Sequence, residues 1–246
     1  MLEFISKNLI WNNEAKAALI IMIGLIGFLS FWFISNSENI KNYFQRKYPS
    51  GKASEVHFIF GKTIGFLFIA MVPAMICKLT IPEFEWAEYG LIFHKEKTLY
   101  SILSILVLAL IGIPIVYRHS KSPETLKKYP QIRARLWTWR TVITEIGGWV
   151  LYLFGYEFLF RGIMLLLLSN LIGILPSIAI NTALYSATHI PKGREETIGA
   201  IPIGILFSFL TLYSESIWIA FTIHLIISMT NFYGALKHNP EIKWEK

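Results

Sequence analysis

The chain has 246 residues, of which 54% are hydrophobic, 15% aromatic and only 16% charged, with a formal net charge of +7. Its mean hydropathy is +0.50. Soluble domains carry nearer a quarter charged residues, so the composition excludes an ordinary soluble domain and predicts an all-α, polytopic transmembrane bundle. The positive charge is not a nucleic-acid footprint, because Lys and Arg gather in loops between apolar spans, the usual topology signal of a bilayer protein. The single cysteine, Cys77, excludes a disulfide framework within one chain and any cysteine-built zinc site.

About 20 mostly apolar residues cross the hydrocarbon core, and about seven stretches qualify in chain order. They are Ala17–Ser35, His57–Thr80, Leu99–Tyr117, Thr141–Leu168, Leu171–Ile190, Ile198–Tyr213 and Ser216–Leu236. The first exceeds the ~7–15-residue core of a cleaved signal peptide and is followed by SNSENIK, a poor cleavage site, so it reads as retained.

Basic residues follow alternate spans. Lys41, Arg46, Lys47 and Lys52 follow the first, Arg118 to Arg140 the third, and Lys192 and Arg194 the fifth, while Lys237, Lys243 and Lys246 form the tail. The other side holds Lys7, Lys16, Lys95 and Lys97, with Glu83, Glu85 and Glu88 beside them. This asymmetry predicts a multi-pass protein of the cytoplasmic membrane with its N-terminus out and C-terminus in. Residues 1–140 then comprise N-terminal spans and a basic cytoplasmic loop, 141–236 a core bundle and 237–246 a cytoplasmic tail. Trp137 and Trp139 read as interfacial anchors, Lys62 as a residue near the inner interface and Lys78 as one that snorkels from a span end.

Ionisable residues inside spans are costly and usually face the bundle interior. GYEFLFRGIML, residues 155–165, puts Glu157 and Arg161 in the fourth span, four apart and able to pair on one helix face. The fifth span repeats that spacing with Tyr185 and His189. The seventh has His224 and Ser228, with Asn231 returning to the same face. A buried ion pair that only locks helix packing explains the first pair equally well. Two imidazoles on neighbouring spans add groups able to orient water, donate to an oxyanion or bind a metal.

YEFLFRG, YSATH and HLIIS resemble, in order and spacing, the signatures of the CPBP family of CAAX proteases and bacteriocin-processing proteins, also called Abi. The resemblance covers roughly residues 141–236. It implies a helical intramembrane endopeptidase, often labelled a metalloprotease, acting on a peptide or lipidated protein substrate held among membrane lipids. His189 would activate water, His224 would stabilise the oxyanion, and Glu157 and Arg161 would be the second glutamate and the arginine of the first motif. Two positions depart: the first motif glutamate is Tyr156, and the last motif asparagine is Ser228. A phenol with an ordinary pKa near 10 is a poor base at neutral pH.

Three readings follow. Glu157 takes over as base, with Tyr156, Tyr185 and Asn231 lining the substrate site; or the chain is a catalytically inactive scaffold or immunity-type protein, acting with a membrane-protein partner. In the third, Glu157, His189 and His224 hold a zinc ion. No cofactor is required by the first two.

Overall fold

Asn12 starts the first membrane helix: its side-chain oxygen accepts from the Ala15 amide at 2.9 Å, pairing a donor that the helix leaves free. The computed structural model describes residues 10–245; Lys7 and Lys246, assigned above to opposite sides, lie outside the described residues. Helix α1 (Asn13–Ser35) leads to the short α2 (Glu38–Lys47). Helix α3 (Ser50–Phe66) runs through a π-helical turn at Leu67–Met71 into α4 (Val72–Thr80). Next come α5 (Thr98–His119), α6 (Pro123–Lys128) and the two-residue strand β1 (Leu136–Trp137). Helix α7 (Trp139–Glu157) continues as a π-helix over Phe158–Leu167 and as α8 (Leu168–Ile172). The chain closes with α9 (Ile174–Ala187), α10 (Arg194–Ser214), α11 (Trp218–His238) and β2 (Lys243–Trp244).

Among the described residues six helical stretches are long and apolar enough to span a membrane. The fifth expected span, Leu171–Ile190, is the exception. Gly173 breaks it in a left-handed conformation (φ 88°), and the helix that follows has 14 residues, about 21 Å at 1.5 Å per residue. The chain still passes from end to end of the bundle there. Asn170 reaches Glu88 at 3.5 Å at one end, and the Lys192 carbonyl accepts from Lys128 at 2.6 Å at the other. His189 lies just past the end of this short helix, in the turn that leads to Ile190–Lys192.

The helix that runs from Trp139 to Ile172 is the axis of the bundle. Its most apolar window is 78% buried, whereas that of Lys95–His119 is 0% buried. Helix α5 therefore packs against α11 and leaves its other faces to lipid. All ten residues of the π-helical stretch Phe158–Leu167 are buried, against α1, α9 and α10.

The basic loop and the tail are not loose. Glu145 on α7 accepts from the amides of Gln131 (2.8 Å) and Ile132 (2.9 Å) and from the Trp149 indole (3.2 Å). Strands β1 and β2 pair in parallel, Leu136 with Lys243 and Trp137 with Trp244. The residues expected to form a free tail thus fold back onto the loop.

Gly162 sits where an added Cβ would lie 2.6 Å from the Tyr89 carbonyl, so Gly162→Ala is expected to destabilise the fold by about 1–3 kcal/mol. The check is the melting temperature of the solubilised chain. At the same end Lys97 donates to Glu215 at 2.8 Å and holds its carboxyl below the ordinary range. A depressed carboxyl stabilises the fold above its unfolded value and loses that contribution as pH falls through the folded one. With both partners partly exposed, Glu215→Gln is expected to cost under ~1 kcal/mol at neutral pH and nothing in acid, read as converging melting curves.

Candidate active site

Glu157 closes α7 and Arg161 lies one turn on, inside the π-helix; both are fully buried. Hydrocarbon does not tolerate either charge alone, and the structure supplies partners from three other segments. Arg161 Nε donates to Glu157 Oε2 at 3.1 Å. Its Nη1 donates to Asn181 Oδ1 at 2.5 Å, with Ser208 Oγ and the Gly204 carbonyl at 3.4 and 3.5 Å. The guanidinium also lies 4.5 Å from the Tyr185 ring centre, a cation–π contact that suits a planar, weakly hydrated cation. The other carboxylate oxygen, Glu157 Oε1, accepts from His224 Nδ1 at 2.5 Å.

Tyr156 touches both imidazoles. Its ring meets His189 edge-on at 6.3 Å and His224 edge-on at 5.6 Å between centroids. Its hydroxyl lies 2.7 Å from Thr188 Oγ1. Thr188 spends its own proton on the Tyr185 carbonyl at 2.7 Å, so the phenol is the donor in that pair.

The two histidines have different companions. His189 Nδ1 donates to the Tyr185 carbonyl at 2.8 Å, a neutral acceptor, whereas His224 Nδ1 donates to a carboxylate. A carbonyl only accepts, so His189 carries its proton on Nδ1 and leaves Nε2 as a lone pair. The carboxylate beside His224 compensates a positive ring, as in a carboxylate–histidine pair of a hydrolase.

The expected site residues therefore separate. Glu157, Arg161, Tyr156, Tyr185, His189 and His224 form one connected group. Ser228, one turn from His224, is buried and faces the Tyr129 hydroxyl from the basic loop. Asn231 is half-buried and makes no side-chain hydrogen bond among the described residues. Asn181, Thr188 and Ser208 belong to the group and were not singled out in the sequence. Asn181 stands four residues before Tyr185, itself four before His189, and that repeated spacing on an apolar segment was the available signal.

Two expectations meet contrary geometry. A freely basic Glu157 is absent, since each of its oxygens is taken by a cation or an imidazole. The zinc triad is not assembled either: Glu157 and His224 point their donor atoms at each other, and among the described residues no cluster of three His, Cys, Asp or Glu could hold a metal.

Residues 132–230 match a family model described as type II CAAX prenyl endopeptidase Rce1-like. The match takes in all three motifs and bears out the resemblance read from them. No curated protein and no solved structure matches the chain.

Asn181 serves Arg161 and also donates to the Phe160 carbonyl. Asn181→Ala is expected to cost about 1–3 kcal/mol by stranding a buried guanidinium donor, measured as a lowered melting temperature with the helix content of the membrane-inserted chain unchanged.

Proposed function

We propose that this member of the CAAX-protease family, matched over residues 132–230, is an intramembrane endopeptidase in which His189 is the base and Glu157 serves His224. The observation that carries the reading is the pair of imidazoles touching Tyr156, one anchored to a carbonyl and the other to a carboxylate. His189 Nε2 takes a proton from water as the water oxygen attacks the scissile carbonyl carbon. His224, held at Nδ1 by Glu157, turns Nε2 to the oxyanion that forms and donates to it. When the C–N bond breaks, His189 returns its proton to the leaving amine. Arg161 balances the Glu157 charge, and Asn181 with Tyr185 fixes Arg161; these are positioning residues.

The substrate is a membrane-associated peptide or lipidated protein, and the basic end of the bundle faces the cytoplasm in keeping with its Lys and Arg excess. The family description points to prenylated C-terminal peptides as the class to try first.

A second reading, a substrate-binding but non-cleaving family member, is favoured by one observation: Tyr156 stands where the family has its first glutamate, and its proton is committed to Thr188. The two are separated by cleavage of a fluorogenic prenylated peptide by the full chain in liposomes. Slow cleavage is expected, lost on His189→Ala by about 10²-fold or more and raised about 10²-fold by Tyr156→Glu. Turnover no higher than that of His189→Ala, with cleavage appearing only in Tyr156→Glu, sinks the first reading in favour of the second.

A further inference from the structure

A cavity of about 330 Å³ opens at the basic end of the bundle, between the C-terminal end of α1, helices α3 and α7, and the loop before β1. Lys62, expected near the inner interface, borders it and is only 7% exposed. Its ammonium lies 3.7 Å from the Trp149 ring centre and 4.4 Å from that of Tyr152. Among the described residues it has no carboxylate and no hydrogen-bond acceptor. The nearest acid behind it, Glu145, has its oxygens taken by two backbone amides and the Trp149 indole.

The rest of the lining has the same sign. Lys128, Arg133 and Lys192 border the cavity, and no Asp or Glu does. Lys128 is held by Glu196 at 2.5 Å, and Arg133 leans on the Leu126 and Lys127 carbonyls. Ser35 borders the cavity too, and its hydroxyl is buried without a partner among the described residues. A largely buried lysine with no hydrogen-bonded counter-ion, beside a hydroxyl without a partner, is costly unless something completes them.

We propose that the cavity binds the phosphate headgroup of an anionic glycerophospholipid, with Lys62 as the central cation and Ser35 as a donor. The location favours the ligand: Phe31 and Trp32, near the end of the membrane-spanning helix α1, line the cavity, and basic pockets between spans suit acidic headgroups. An ammonium and a hydroxyl both donate to phosphate oxygens, and phosphate accepts charge-assisted bonds from several donors at once.

The test uses the purified full chain in detergent and measures phospholipid retained by native mass spectrometry together with the melting temperature. Phosphatidylglycerol is expected to be retained at one per chain and to raise the melting temperature, and phosphatidylcholine to do neither. Lys62→Met is expected to weaken retention about tenfold or more and Ser35→Ala less. Lys62→Arg keeps it, and Lys41→Met, outside the cavity, changes nothing. Equal retention of phosphatidylcholine, or full retention by Lys62→Met, overturns the proposal. Inorganic phosphate raising the melting temperature as far as phosphatidylglycerol does, and displacing it, overturns the lipid assignment in favour of a soluble anion. If Lys62→Met fails to fold, Ser35→Ala and Arg133→Gln decide: full retention in both overturns the site.

Discussion

A carboxylate with no solvent contact, set among membrane helices, must be surrounded by donors, and Glu157 is surrounded by two of opposite design. A guanidinium takes one oxygen and an imidazole the other. Each arrives on a different segment of the bundle, so meeting the demand of one side chain fixes α11 against the π-helix. Arg161 carries the constraint outward: Asn181 on α9 and Ser208 on α10 must come to it. Four segments are thereby held in one arrangement, and the polar group decides which faces of otherwise interchangeable apolar helices point inward. Leu and Ile side chains cannot make that choice, because lipid is as good a solvent for them as another helix.

The same constraint distributes chemical roles. Each Glu157 oxygen already accepts from a neighbour, one from Arg161 and the other from His224, which suits the carboxylate to orient His224. His189 depends on the irregular end of α9. Where the helix ends after Ala187, both Thr188 Oγ1 and His189 Nδ1 turn back to the Tyr185 carbonyl. Tyr156 sets an aromatic ring against the imidazoles instead of a second acid. Two carboxylates side by side in a closed pocket would repel each other, and the phenol removes that repulsion along with the proton acceptor.

Much of this was legible in the residues. The fold class followed from hydropathy, the Glu157–Arg161 pair from its spacing of four, and the gathering of His189 and His224 from the cost of leaving imidazoles in lipid. The fifth expected span was legible as an apolar stretch but not as a short helix, because Gly173 acts through a backbone angle that hydropathy ignores. The π-helix left no periodic trace, since a run as uniformly apolar as Phe158–Leu167 hides its own repeat around Arg161. The aromatic surroundings of Lys62 were not legible: a lone lysine near a span end has the same pattern whether it reaches water or lies against Trp149 and Tyr152.

The π-helical stretch bears on how this chain is to be set beside any relative. Each of its hydrogen-bonded turns closes on the fifth residue rather than the fourth, so it accommodates a supernumerary residue without unwinding the rod. Tyr156 and Glu157 precede it, in ordinary α geometry. Every residue beyond Phe158, Arg161 included, has been rotated by the wider turns. Counting along the string of letters there can align two arginines whose guanidinium groups emerge from different sides of the rod, and equivalence has to be judged from the partners each one keeps.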